Sequence, residues 1–221
     1  MKKMIAILLS LMMIISFASC RSDNKESGKD ASKEETTAPA DNSSSEDVKK
    51  DVAPADVEKA VAEALGDGYL ATVEVPEDEI ELSALGALDL EKIESYIVKQ
   101  STVPSVNIDS VVVVKCKEGY ADEAVEGLNS VFENKMNYIR QYPFGVAKAE
   151  GARLYKVDDL VMFILAGASA DESMDAEAEA KLAKDEYEKV DNAIKGLFGS
   201  VPENLAIIPE ESEHHGGLIG G

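Results

Sequence analysis

Apolar and polar positions divide the chain into segments of different rhythm. Met4 to Phe17 is apolar with only Ser10 and Ser16 interrupting, and Met1-Lys2-Lys3 precedes it. Arg21 to about Ala53 then holds almost no bulky apolar residue. Periodicity begins after that stretch. Val57, Ala60, Val61, Ala64 and Leu65 share one face of a helix over 56–65, which Gly66 and Gly68 stop. Tyr69 to Val75 reads as a short strand ended by Pro76, and Glu77-Asp78-Glu79 suits the first turn of a helix through about Leu85. Ile93 to Ser101 stays ambiguous: Asp89 would cap a short helix, whereas Tyr96-Ile97-Val98 favours a strand.

The second half is plainer. Ile108 to Lys117 is a β-branched strand closed by Gly119. From Tyr120 to about Tyr142 runs the clearest amphipathic helix, with Ala124, Leu128, Val131, Phe132, Lys135, Tyr138, Ile139 and Tyr142 at three- and four-residue steps. Lys135 is the one charged member of that stripe, near its edge. Val146–Tyr155 and Leu160–Ala166 form a predicted hairpin turning at Val157-Asp158-Asp159. A last helix, roughly 175–198, carries Ala183, Tyr187, Val190, Ile194 and Leu197 on one stripe. Interspersed strands and helices with tight returns predict an α+β fold. A small, mostly antiparallel sheet is packed by two or three amphipathic helices on one side, in a single domain.

The start of the chain changes the picture. A basic end, a short apolar run and small residues before Cys20 are the pattern of a secretory signal over 1–19. Phe17-Ala18-Ser19-Cys20 looks like a bacterial lipobox, with Phe17 where Leu is usual, so Cys20 is the expected lipidation site (diacylglyceryl and palmitate-type acyl chains). Residues 20–53 read as a disordered tether, because such a composition cannot bury enough surface to offset chain entropy. The expected organisation is therefore signal 1–19, lipidated cysteine and linker 20–53, domain 54–209 and flexible tail 210–221. The expected location is the extracytoplasmic face of the cell membrane, with membrane lipid as the partner of the acylated Cys20.

Charge narrows the partners. The chain carries −21, of which about −17 falls on 54–209. Such a field repels nucleic acid and anionic polymers, so no nucleic-acid role is expected; cationic partners or divalent metal remain compatible. With Cys20 acylated, Cys116 is the only thiol left, and two-residue alternation turns it inward between Lys115 and Lys117. Both histidines, His214 and His215, lie in the tail, which removes histidine-based acid–base or zinc chemistry from the domain.

From Leu88 to Gly167 the order is a short element, the strand Ile108-Asp109-Ser110-Val111-Val112-Val113-Val114-Lys115, the Tyr120–Gln141 helix, Tyr142-Pro143, and the strand Leu160-Val161-Met162-Phe163-Ile164-Leu165. With the lipobox and spacer, this order resembles small Gram-positive (Clostridia-like) lipoproteins carrying a domain of unknown function, family 4358. Those proteins usually place a glycine before an aromatic in the last hairpin, where this chain reads Asp158-Asp159-Leu160. The resemblance implies a Gram-positive surface lipoprotein and brings no catalytic or binding residue with it.

Candidate chemistry is thin. There is no Gly-x-Ser-x-Gly elbow, no Ser-x-x-Lys, no glycine-rich phosphate loop and no calcium loop with alternating Asp/Asn. Tyr138, Tyr142 and Phe144 form the densest aromatic group and a candidate stacking platform, although closing a helix explains them equally. His214 and His215 with Glu213 could hold a transition metal loosely. No cofactor is expected. The leading expectation is a non-catalytic binding or scaffold module of the cell envelope, contacting an envelope protein or small ligand. The alternatives are a carboxylate-based hydrolase acting on wall or secreted substrate, and a loose metal-binding surface protein.

Overall fold

Two runs of consecutive apolar residues, Val111–Val114 and Leu160–Leu165, set the centre of the fold. Every residue in both is buried. Successive strand residues face opposite sides, so a strand buried at every position must be covered on both faces. The computed structural model describes residues 51–104, 107–141, 145–171 and 173–210, which fall within one compact unit.

Five strands make the sheet: β1 (Val73–Glu74), β2 (Ile93–Gln100), β3 (Ser110–Cys116), β4 (Arg153–Val157) and β5 (Leu160–Leu165). Their order is β1-β2-β3-β5-β4, and every neighbouring pair is antiparallel. Phe163 faces Val112 on one side and Leu154 on the other. β3 and β4 therefore run the same way with β5 between them, and helix α2 (Ala121–Ile139) makes the crossover, a split β-α-β unit. β4 returns into β5 through Asp158-Asp159, where Asp158 takes φ +50°, a backbone that Asp tolerates better than most residues.

Helices cover both faces, which corrects the expectation of helices on one side. Val112, Val114, Leu154, Val161 and Phe163 pack with Leu128, Phe132, Met136 and Ile139 of α2. Val111, Val113, Tyr155, Met162 and Ile164 pack with Val57 and Val61 of α1 (Pro54–Leu65) and with Tyr187, Val190 and Ile194 of α4 (Ala176–Phe198). The physical reason is the unbroken apolar run in both central strands, which a one-sided packing would leave half wet. The α+β class and the antiparallel sheet hold.

Local sequence explains the ends. Pro54 opens α1, and the Asp56 carboxylate accepts from the Ala53 amide at 3.1 Å. The Asp175 side chain caps α4 through the Ala178 amide at 2.9 Å, and Gly199 closes it at φ +82°. Ile93–Gln100 resolves as strand. Three predicted elements differ. Val146–Glu150 is a short helix, α3, because Ala-Lys-Ala-Glu favours helix and the sharp turn at Gly145 precedes it; the hairpin arm begins only at Arg153. Glu77–Leu82 and Ala84–Ala87 form tight 3₁₀ turns, and pairing near Tyr69–Val75 is confined to Val73–Glu74. In α2 the buried stripe runs through Met136, leaving Tyr138 49% exposed.

Candidate functional site

The strongest concentration of buried charge lies at one end of the sheet. Ser110 pairs with Leu165, so Asp109 just before β3 meets Gly167 just after β5. Lys148, from α3, reaches into the same place. Its ammonium donates to Asp109 Oδ1 at 2.6 Å, to the Gly167 carbonyl at 2.9 Å and to Ser169 Oγ at 3.1 Å. An ammonium has three donors, and all three are used. The Gly167 amide donates to Asp109 Oδ2 at 3.3 Å, and the next amide, Ala168, donates to Glu186 Oε2 at 3.0 Å. Glu186 is itself paired with Lys189. The Tyr187 hydroxyl holds the Lys148 carbonyl at 2.9 Å.

Gly167 stands at φ +139°, and a Cβ there would lie 2.9 Å from Glu186 Cβ. Glycine thus lets α4 close over this end of the sheet. Side-chain exposure is 0% for Asp109 and 6% for Lys148. Burial holds the Asp109 carboxyl above its usual range, with the Lys148 charge opposing that rise. The arrangement ties together the start of β3, the end of β5 and α3, and leaves neither charge free for outside chemistry.

Lys135 lies beside this cluster and behaves differently. Burial lowers its amine to about 8, with the Lys148 charge adding to the fall and Asp109 opposing it. Among the described residues the amine has no hydrogen-bond or ion-pair partner.

A second feature lies on the outer side of α2. The extended segment 203–210 crosses from the edge of β4 to this helix. The Asn204 side chain acts as a substitute strand: its oxygen accepts from the Leu154 amide at 2.8 Å, and its nitrogen donates to the Ala152 carbonyl at 3.0 Å. The Leu205 amide donates to the Leu154 carbonyl at 2.7 Å. From α2, Asn129 donates to the Leu205 carbonyl at 3.0 Å and accepts from the Ile207 amide at 2.9 Å. Arg140 donates to the Pro209 carbonyl at 2.7 Å. Between helix and segment lies an open groove of about 1440 Å³, whose lining includes Val125, Glu126, Glu133, Asn137, Glu203 and Ile207.

Residues 72–166 match the family model described as a domain of unknown function, DUF4358. The chain carries a DUF4358 domain. No curated protein and no solved structure matches the chain. The DUF4358 segment comprises the whole sheet with α2 and α3, and ends one residue before Gly167. Asp109, Lys135 and Lys148 lie inside it; α1, α4 and 203–210 lie outside. The groove is thus half family segment and half flanking chain.

Of the residues singled out from sequence, Tyr138 lies on the exposed side of α2. Tyr142, Phe144, His214, His215 and Cys20 lie outside the described residues. Cys116 is buried in the DUF4358 core, and burial, with the nearby Asp159 charge, pushes its thiol up to about 11. Among the described residues no three His, Cys, Asp or Glu side chains group so as to hold a metal ion. Asp109 and Lys148 were missed, being 39 positions apart in sequence without a shared motif. The charge of Lys135 within an apolar stripe was the one signal pointing toward the cluster.

Proposed function

We propose that this chain is a lipid-anchored extracytoplasmic protein whose DUF4358 domain is a non-catalytic binding module of the cell envelope. The observation that carries the binding half is the open groove between α2 and 203–210, which offers amides, carboxylates and apolar side chains for contact. By contrast, the strongest buried cluster is consumed by its own hydrogen bonds. A carboxylate hydrolase would need two acids facing one another across a cleft. The buried acids Asp109 and Glu186 each hold a lysine and a backbone amide instead.

The anchor half rests on the sequence of 1–20. No helix among the described residues is long and apolar enough to cross a membrane, so attachment would depend on Cys20 acylation after removal of the signal. A Cys20→Ala variant should leave the membrane fraction of the expressing cell; retention there would refute the anchor. Proximity crosslinking on intact cells, comparing the full chain with one lacking 54–209, tests the module. A partner captured only with the domain supports it, and capture that ignores the domain overturns it.

A further inference from the structure

We propose that the groove between α2 and 203–210 takes an extended, positively charged polypeptide segment of a partner protein. This rests on the binding-module reading above and names the partner's chemistry.

Three observations converge on that occupant. The first is charge. Glu126, Glu133, Glu203 and Glu210 line the groove, and none has a basic partner among the described residues. Its one cation, Arg140, is already engaged by the Pro209 carbonyl and by Glu150 at 3.8 Å. A basic segment would neutralise those carboxylates, whereas an acidic one would be repelled.

The second is the way α2 already holds extended backbone. Asn129 grips the chain's own segment by donating to one carbonyl and accepting from one amide, as a neighbouring strand would. Asn137 lies two turns further along the same helix, also in the groove lining, and its side-chain amide is unengaged among the described residues. It presents the same donor–acceptor pair to a second extended chain. Main-chain hydrogen bonds with side-chain contacts at alternate positions are the usual means of recognising such a peptide.

The third is shape. At about 1440 Å³ and open to solvent along its length, the groove exceeds the roughly 300–1,000 Å³ enclosures that surround small ligands. Ile207, 66% exposed, and Val125 supply apolar contact beside the carboxylates. A segment alternating basic and apolar residues matches this lining.

The test uses the full-length lipoprotein in non-ionic detergent micelles and two fluorescein-labelled decapeptides, one alternating Lys and Val, the other Glu and Val. Fluorescence anisotropy should show binding of the Lys peptide only, weakening about fivefold or more when salt rises from about 50 to 300 mM. The groove variant Glu126→Lys/Glu133→Lys/Glu203→Lys should bind at least about tenfold more weakly. The variant Glu77→Lys/Asp78→Lys/Glu79→Lys makes the same net change at an exposed site outside the groove lining, and should bind within about threefold of the unaltered protein. Unchanged thermal unfolding checks that both variants are folded. Equal losses in the two variants, equal binding of the Glu peptide, or no binding at all would overturn the groove proposal.

Crosslinking on cells separates this proposal from the broader reading. A domain-dependent partner retained by the groove variant overturns the groove and leaves the binding module standing. A partner lost only in the groove variant supports both.

Discussion

Replacing Lys148 by Met keeps the aliphatic stem and removes the charge together with all three donors. Asp109, fully buried, would be left with the 3.3 Å bond from the Gly167 amide, no paired cation, and only the charge of the neighbouring Lys135. Breaking a buried ion pair from one side costs about 3–5 kcal/mol, because the remaining charge is neither hydrated nor paired. For a domain of this size, a Tm loss of roughly 6–20 °C corresponds. The sign of the pH dependence follows from Asp109. Its folded pKa is raised by burial, and without Lys148 it rises further. In the window between the unfolded value of about 3.9 and that raised value, the folded state holds a proton that the unfolded state has lost. Stability from this group is therefore present at low pH and lost as pH rises. The gap between native protein and Lys148→Met should narrow from pH 7 to pH 5. Adding Asp109→Asn should restore at least about 1 kcal/mol, since the orphaned charge is then gone. Urea unfolding followed by far-UV circular dichroism at both pH values measures all three quantities. A single-variant loss below about 1 kcal/mol, or a gap that widens at pH 5, would refute the reasoning.

Other consequences can be measured separately. Gly127→Ala in α2 should destabilise by about 1–3 kcal/mol despite alanine's better helix propensity, because the new Cβ would lie 2.5 Å from Leu88 Cδ2 and 3.1 Å from the Ala87 carbonyl oxygen. Gly196→Ala in α4 meets nothing within 4 Å and should stabilise by about 0.5–1 kcal/mol; chemical denaturation of the pair reads opposite signs. Asn204→Ala removes both hydrogen bonds to the β4 edge and should cost about 1–2 kcal/mol. Hydrogen exchange should then speed at the Leu154 amide, and unchanged protection there would contradict the substitute-strand role. Lys135, lowered to about 8, binds its proton less tightly folded than unfolded, where the value is about 10.4. Its contribution makes stability rise with pH from about 8 to 9.5, a slope that Lys135→Met should remove when the two unfolding curves are compared.

The long helices were legible because their apolar stripes recur over many turns. The turn at Asp158-Asp159 was legible because two carboxylates interrupt two apolar runs. The coverage of both sheet faces was also written in the sequence, as the unbroken Val111–Val114 and Leu160–Leu165. The expectation of helices on one side rested instead on the interspersed order of strands and helices, and the alternation of Lys115, Cys116 and Lys117 spoke only for an inward Cys116. In β3 that alternation belongs only to its end, where Lys115 is partly exposed and Cys116 buried. Val146–Glu150 is too short for periodicity to decide between helix and strand. The Asp109–Lys148 contact had no sequence signal at all, because it depends on how β3 and β5 pair. Asn204 and Asn129 are equally opaque: an asparagine that completes an edge strand looks the same in sequence as one in any loop.

The family segment ends where the sheet ends, and this has a consequence for how it must be handled. Residues 72–166 contain the α2 layer but neither α1 nor α4. Cut out alone, they would turn Val111, Val113, Tyr155, Met162 and Ile164 toward water as one continuous oily plate. Such a plate would be expected to stick to its neighbours in solution. In this chain α1 and α4, both outside the matched stretch, supply the cover from the flanking sequence, so the unit that folds is wider than the family segment.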